Sequence, residues 1–227
     1  MTALYLRTTD AQGRAHGGFQ WPLEVGATVT APDWKPTAEF GNGLHGLLNG
    51  EGDADHLSND ADAIWWIVEA SNAIDLGGKH KFQTCRVVAF GPREDITPKM
   101  RRMTGGAVHR LIEAGGDDST LTGGSYSTLT GGNRSTLTGG NYSTLTGGDY
   151  STLTGGSYST LTGGNRSTLT GGDCSTLTGG DDSTLIFLCW IEGHRRVLTA
   201  YVGENGIKPG APYRANDDFT AVVEATA

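Results

Sequence analysis

The chain has 227 residues, enough for one medium domain or two small ones, and its formal net charge is −8, which argues against nucleic-acid backbones and anionic membranes as partners. Its three cysteines, Cys85, Cys174 and Cys189, are odd in number and far apart, so they predict no disulfide framework and favour a reducing compartment. The N-terminus lacks an apolar signal core and no stretch is long enough to span a bilayer, which predicts a cytoplasmic protein.

Residues 1–104 have the composition of a small α+β globular domain. The runs TALYLRT, AIWWIVEA and FQTCRVVAFG are rich in β-branched and aromatic residues and predict strands. Gly-rich stretches such as EFGNGLHGLLNGEG predict loops between them. The segment REDITPKMRRMTGG favours a short helix or turns, and residues 105–116 are predicted to form a connector or first cap.

Residues 117–185 repeat one octapeptide. Ser-Thr-Leu begins at Ser119 and recurs every eight residues, nine times in all, as far as Ser183. The letters S-T-L-T suit a strand, and G-G-x-x suits a tight corner in which glycine adopts a positive φ. Each octad is therefore predicted to supply one strand and one corner.

The variable corner letters predict that two octads make one coil. Alternate octads place Tyr126, Tyr142, Tyr158 and Cys174 at one corner, sixteen residues apart. The other octads place a second set at the opposite corner: Asp118, Arg134, Tyr150, Arg166 and Asp182. A sixteen-residue coil turns these sets into a tyrosine ladder and a ladder in which each arginine lies between an acid and Tyr150. The fold predicted is a two-sheet β-solenoid of about four and a half coils.

Alternation along each strand assigns the faces of the solenoid. Leucine points inward, and serine points inward with it and must bond to the backbone or to another serine. Both threonines point outward, so each sheet presents a flat grid of methyl and hydroxyl groups, with the two faces equally regular. The predicted array comprises Thr120, Thr122, Thr128, Thr130, Thr136, Thr138, Thr144, Thr146, Thr152, Thr154, Thr160, Thr162, Thr168, Thr170, Thr176 and Thr178.

Residues 186–227 lose the period and predict a β-rich C-terminal cap. IFLCWIEG and RVLTAYVGENG favour two strands, and FTAVVEA is apolar again. A solenoid end exposes unpaired backbone groups that would recruit other chains, so it needs a cover. The first cap strand is apolar on both sides, which predicts that it is covered on both faces by the C-terminal segment, the N-terminal domain or a second subunit. Trp190→Asp is then expected to cause aggregation.

The repeat resembles the central domain of bacterial ice nucleation proteins. The Thr-x-Thr row within STLT and the ladder of Tyr126, Tyr142 and Tyr158 carry this resemblance, which covers less than a third of the chain. It implies a sixteen-residue β-solenoid with inward serine and leucine. The array here is far shorter than in that family, and threonine is equally abundant on both faces. An ice-binding or water-ordering surface is one implied function.

The two ends resemble a group of phage and bacterial proteins of unknown function. GGFQWPLEVGATVTAPDW with GNGLHGLL, and the closing YVGENGIKPGAPYRAN, carry this second resemblance. It implies a repeat array held between an N-terminal domain and a closing unit. The leading hypothesis is therefore a non-enzymatic display or assembly module that binds an unknown protein partner or itself, and that is associated with a virion if it is phage-encoded.

Catalytic and metal motifs are missing from the sequence. The period of eight differs from that of the nonapeptide calcium repeat, and EGDADHLSNDADA lacks EF-hand spacing, so no metal and no cofactor are predicted. One enzymatic alternative is open: the N-terminal order of motifs resembles ADP-ribosyltransferase-like folds. That resemblance implies a nucleotide-using transferase in residues 1–104, with His45 and Glu69 as candidates. The competing interpretation places His45 in a Gly-rich loop and Glu69 on an exposed strand face.

Overall fold

A computed structural model describes residues 2–225 and divides into two compact units, Met1–His109 and Arg110–Ala227. Met1 and residues 226–227, which belong to the predicted terminal regions, lie outside the described residues. Both units are mainly β, which confirms the predicted fold class. The boundary between the units falls inside the predicted connector 105–116, and the finer division into four parts stays a prediction.

The first unit contains one seven-stranded antiparallel sheet in the order β2-β7-β4-β1-β3-β6-β5. Its strands are β1 (Thr2–Thr9), β2 (Thr28–Thr30), β3 (Leu44–Leu48), β4 (Ile64–Ser71), β5 (Ile74–Asp75), β6 (His80–Phe82) and β7 (Thr84–Gly91). Short 3₁₀ turns lie at His16–Gly18 and Ala54–His56. The predicted strands TALYLRT, AIWWIVEA and FQTCRVVAFG correspond to β1, β4 and β7. Strand β3 lies in a stretch predicted to be a loop.

The central strand β4 is buried on both faces. Trp66 packs with Trp21 and Phe82 in an aromatic core on one side. Ile67 points the other way and is equally inaccessible, and helix α1 (Arg93–Thr104) packs against β4 and β7. Glycine in the left-handed conformation at Gly105 ends the helix. Burial of both faces explains why AIWWIVEA is a continuous apolar run rather than an alternating one.

The second unit is a two-sheet β-solenoid. Its repeat strands are β8 (Ile112–Ala114), β9 (Thr120–Thr122), β10 (Thr128–Thr130), β11 (Thr136–Thr138), β12 (Thr144–Thr146), β13 (Thr152–Thr154), β14 (Thr160–Thr162), β15 (Thr168–Gly171), β16 (Thr176–Thr178) and β17 (Thr184–Ile191). Even-numbered strands pair in parallel in one sheet, and odd-numbered strands in the other. Each strand lies sixteen residues from its neighbour, which confirms the two-octad coil.

The solenoid begins one octad earlier than the recognisable repeat. Strand β8 pairs with β10 in the register Thr128↔Ile112 and Thr130↔Ala114, so L-I-E-A replaces S-T-L-T in the first rung. The coils therefore number about five rather than four and a half. Arg110 occupies the corner position sixteen residues before Tyr126, with the same left-handed backbone conformation.

Antiparallel strands close the C-terminal end of both sheets. Strand β18 (His194–Tyr201) pairs with β17, while β19 (Pro212–Ala215) pairs with β16 and then with β20 (Val222–Glu224). Trp190 is 69% exposed, so the described residues of this chain do not cover it, and cover by a second subunit stays a prediction. The edge of β17 is satisfied by backbone pairing with β18, and this leaves the outer face of the strand open to solvent.

Among residues 2–225, no helix combines the length and apolar character needed to cross a membrane.

Candidate functional site

The threonine grid is held in columns by the parallel register of the rungs. Thr136 lies beside Thr152 and Thr138 beside Thr154, and the same offset recurs through both sheets. The leucine between each pair of threonines points inward; Leu145 and Leu153, for example, are completely buried. Each face therefore displays two parallel threonine columns, with rungs about 4.8 Å apart and the columns about 6.7 Å apart.

The sixteen predicted threonines differ in exposure. The first three pairs on each face are exposed: Thr120, Thr122, Thr128, Thr130, Thr136, Thr138, Thr144, Thr146, Thr152, Thr154, Thr160 and Thr162. The last pair on each face is half-buried, next to the cap strands: Thr168, Thr170, Thr176 and Thr178. The most accessible part of the grid is thus its first three rungs on each side.

The two faces also differ at their borders. The even-numbered face is bounded by Ile112 and Ala114 at one end and by the antiparallel strand β19 at the other. The odd-numbered face begins directly at the edge strand β9 and continues past its last threonine pair to Thr184 and Ile186. The repeat itself is equally regular on both faces, but the surfaces around it are not equivalent.

Inward serines are satisfied along the stack. The Ser151 backbone N–H donates to Ser167 Oγ at 3.2 Å, and Ser151 Oγ donates to the Gly132 carbonyl oxygen at 3.2 Å. The same pattern recurs at Ser159 and Ser167. These hydroxyl groups supply partners that a thin, leucine-lined interior otherwise lacks, because buried polar groups need hydrogen bonds.

The corner residues with a positive φ are not the glycines. The left-handed position is taken by the last letter of each octad, with φ between 56° and 60° at Asp118, Arg134, Tyr142 and their equivalents. None of the glycines in residues 117–185 has a positive φ, so the prediction that the corners contain glycine because they need a positive φ is wrong. Each non-glycine left-handed residue carries a modest strain.

Lack of space explains the paired glycines. A Cβ atom at Gly147 would lie 2.8 Å from Ser151 Cβ, within the same corner. A Cβ atom at Gly148 would lie 2.8 Å from the Asn133 nitrogen in the preceding coil. Gly116 occupies the same corner position in the first coil, where a Cβ atom would meet no atom of the described residues within 4 Å. Close stacking of successive coils therefore requires the second glycine.

The seventh letter of each octad forms a ladder that the sequence interpretation missed. The Asp149 N–H donates to Asn133 Oδ1 at 2.8 Å, and the Asn165 N–H donates to Asp149 Oδ1 at 2.7 Å. Asp117 and Asp181 take part in the same series. The signal was present, since this position is always Asp or Asn at one corner, where a side-chain oxygen can accept a backbone N–H from the next coil.

The tyrosine corner is a stack of parallel rings. Tyr126 and Tyr142 have ring centroids 5.0 Å apart with an interplanar angle of 7°, and Tyr142 and Tyr158 repeat the geometry at 5.0 Å and 5°. Arg110 extends the stack at its start, with its guanidinium 4.6 Å from the centre of the Tyr126 ring. Cys174 follows Tyr158 at the other end and is exposed.

The opposite corner carries the charged ladder. Arg134 donates to both carboxylate oxygens of Asp118, at 2.7 Å and 2.9 Å. This bidentate contact lowers the pKa of Asp118 and raises that of Arg134. Arg166 donates to the Tyr150 hydroxyl at 2.5 Å and lies 3.4 Å from an oxygen of Asp182. All of these groups are solvent-exposed, so the contacts serve mainly to mark register.

His45 and Glu69 lie on different strands of the first unit. His45 lies on β3, not in a loop, while Glu69 lies on β4, and β1 separates the two strands by about 10 Å in total. Glu69 pairs with Arg86 at 2.7 Å, a hydrogen bond that lowers the pKa of the Glu69 carboxyl. The two residues are therefore not brought together as one catalytic pair.

Taken together, the fold and surface define a class: a two-sheet β-solenoid of sixteen-residue coils with threonine columns, joined to an N-terminal antiparallel sheet. Over 94 residues the chain is 45% identical to the ice nucleation protein InaU of Pantoea ananas, a match covering 40% of this chain and 9% of that protein. It is 40% identical over 95 residues to the ice nucleation protein of Pseudomonas syringae, covering 40% of this chain and 8% of that protein.

These similarities confirm the predicted resemblance of the repeat, whereas the resemblance of the two ends to phage and bacterial proteins stays a prediction. The repeat region is similar to ice nucleation proteins, although the chain spans less than a tenth of the length of these curated relatives. The family model described as Domain of unknown function (DUF7666) matches residues 3–96. No solved structure gave a significant match.

Proposed function

We propose that the solenoid is a small ice-binding surface that orders water along its threonine columns. The observation that carries this proposal is the register of exposed Thr-x-Thr pairs on parallel sheets, in a repeat 40–45% identical to proteins named ice nucleation proteins. The comparisons support this alternative better than the display or assembly role that the sequence placed first. Partner binding and a phage origin stay predictions.

Physical chemistry gives the grid the properties that such a surface needs. Threonine is β-branched and has few side-chain rotamers, so its methyl and hydroxyl groups keep fixed positions on a strand. Serine and Asx ladders tie each coil to the next, so the spacing between rungs is set by the backbone. Water at this surface therefore contacts the same methyl–hydroxyl pattern at every rung. The threonine side chains need little rearrangement to order that water.

The size of the grid limits what it can do. Four rungs per face span three intervals of about 4.8 Å, or about 14 Å. The relatives are more than ten times longer than the matched segment. We therefore expect one molecule to adsorb to existing ice and reshape the crystals weakly, without starting freezing just below the melting point.

The test is ice crystal morphology and thermal hysteresis of the full chain. One variant places lysine at Thr136, Thr138, Thr152 and Thr154 on the odd-numbered face. A second places lysine at Thr144, Thr146, Thr160 and Thr162 on the even-numbered face. The matched control places lysine at the exposed cap positions Trp190 and Val197. Circular dichroism checks that each variant retains its β-sheet content.

We expect the native chain and the cap control to shape ice, and at least one face variant to lose this activity. If only one variant loses it, the active face is identified, and the unequal borders give a physical reason. If the native chain leaves ice crystals as plain discs, the proposal fails and the display or assembly role returns to first place. The absence of an enzymatic role stays a prediction, in line with the names of the relatives.

A further inference from the structure

The first unit contains a basic cavity that no function above uses. Its volume is about 160 Å³, and residues of β1, of β3 and of the turn before β6 line it. Cationic and titratable side chains line it: Arg7, His16, His45, His56 and Lys79. Among the described lining residues, none is acidic. Two of these residues, Arg7 and Lys79, are cations, and in a chain with a net charge of −8 a cavity lined by cations and no acid requires a reason.

Arg7 forms no ion pair with any of the described residues. Its Nε is buried and has no hydrogen-bond partner among residues 2–225. Its guanidinium lies 3.8 Å from the centre of the Trp21 ring, and this cation–π contact occupies one face of the group but gives the Nε–H no hydrogen-bond acceptor. Burial lowers the pKa of Arg7 to about 10. An unpaired charge of this kind is destabilising unless something compensates it.

His45 is a second unpartnered group at the same cavity. Its Nε2 is buried and has no hydrogen-bond partner among the residues described. Burial is the main reason that the His45 pKa falls to about 4, and the nearby charges of Lys79, Arg7 and Lys81 add to the effect against a small opposing contribution from Asp33. Asp53 lies 3.6 Å from His56, another residue of the cavity lining.

We propose that this cavity binds a phosphate-class oxyanion, with Arg7 and His45 donating hydrogen bonds to its oxygens. The donors come from different elements, β1 and β3, with Lys79 on the turn before β6. A tetrahedral dianion presents oxygens in several directions and so suits this arrangement better than a planar carboxylate does. The volume is below the 300–1,000 Å³ or so typical of sites for larger organic ligands, which favours one phosphate group over a whole dinucleotide.

Calorimetric titration of the full chain with inorganic phosphate and with ribose 5-phosphate tests the proposal, and ribose serves as the uncharged control. Arg7→Met and His45→Gln each remove one donor, while Arg86→Met removes an exposed arginine from the same sheet. We expect Arg7→Met to weaken binding by about 10- to 100-fold, since that is the range for hydrogen bonds to charged groups. We expect His45→Gln to weaken it less and Arg86→Met to leave it unchanged.

Thermal melting supplies a second measurement. Phosphate should raise the melting temperature of the native chain, because a ligand that binds only the folded state stabilises it. Without phosphate, Arg7→Met should melt no lower than the native chain, since it removes an unpaired buried cation. Tighter binding of ribose 5-phosphate than of phosphate identifies an organic phosphate as the ligand, and the reverse order identifies free phosphate.

Three results would overturn the proposal. The first is that neither phosphate probe binds the native chain. The second is that Arg7→Met and His45→Gln both bind phosphate as tightly as the native chain does. The third is that Arg86→Met weakens binding as much as Arg7→Met does, which would indicate an effect of overall charge only. If Arg7→Met does not fold, His45→Gln alone decides between binding and no binding at the cavity.

Discussion

The two units differ in the sequence separation between their paired strands. In the solenoid each S-T-L-T strand pairs in parallel with the equivalent strand sixteen residues away, as Leu137 pairs with Leu153. In the first unit Tyr5 pairs with Leu48 on one side and Val68 on the other, far along the chain. Contacts in the solenoid are therefore local and repeated, whereas those in the sheet are long-range and unique. A destabilising substitution should therefore affect only the nearby coils in the solenoid, but the whole sheet in the first unit.

The largest expected effect tests whether damage in the solenoid is local. Leu153 is completely buried in the middle of the stack, and Leu153→Ala should cost about 2–5 kcal/mol of unfolding free energy through lost burial and a residual cavity. Amide hydrogen exchange should rise in the coils around Leu153 and stay unchanged in the first unit. Leu121→Ala, on the edge rung, is the matched control and should cost less. Equal losses at the two positions would contradict a stack of nearest-neighbour coils.

A second test concerns the close approach of coils. Gly148→Ala would bring a Cβ atom within 2.8 Å of the Asn133 nitrogen, so the coils must separate locally. We expect a loss of about 1–3 kcal/mol, typical of overpacking. Gly116→Ala changes the equivalent corner where no earlier coil is stacked, and should shift the unfolding free energy by less than about 0.5 kcal/mol. Urea denaturation of both variants measures the difference, and similar losses would rule out stacking as the cause.

The first unit should be the more sensitive of the two to acid. His45 has a folded-state pKa of about 4, below the unfolded value, so between about pH 6.5 and pH 4 the unfolded chain binds the additional proton. Stability should therefore fall as the pH drops through this window. His45→Gln should flatten the decline in the melting temperature of the first unit. A decline of the same slope in the variant would assign it to other groups.

The smallest effect is expected at the cap. Trp190 is exposed and the edge of β17 is already paired with β18, so Trp190→Asp should change stability by less than about 0.5 kcal/mol and leave the chain monodisperse. Light scattering and thermal melting check this expectation. Aggregation of the variant would restore the idea that the side chain itself guards the edge.

The sequence predicted much of the solenoid because its signals repeat. Period, coil length, inward leucine and the tyrosine stack all followed from letters at fixed spacing. The sequence did not predict the β8 rung, because L-I-E-A there differs from S-T-L-T. It also gave the wrong reason for the paired glycines, because both a positive φ and a lack of space can require glycine at a corner. Only coordinates could show that Gly148 lacks room rather than needing a positive φ.

The first unit was less predictable for a physical reason. Strand β3 contains Gly46 within a Gly-rich stretch, and a local pattern there indicates a loop. Strand formation is decided instead by distant partners: Leu47 lies beside Leu6, and Leu44 beside Phe82. The cavity at Arg7 and His45 could not be anticipated either, because its residues are scattered along the sequence and share no motif.

The antiparallel caps fix how the array can change length during evolution. The chain enters β17 on one sheet and β19 closes the other, so each cap strand must meet its own side. Insertion of a single octad would place β17 in the opposite sheet. It would also bring residues of the tyrosine corner and of the charged corner into the same stack. Gain of two octads preserves both. Duplication or deletion should therefore be tolerated in steps of sixteen residues, so that the number of coils can vary between descendants while the parity of octads stays constant.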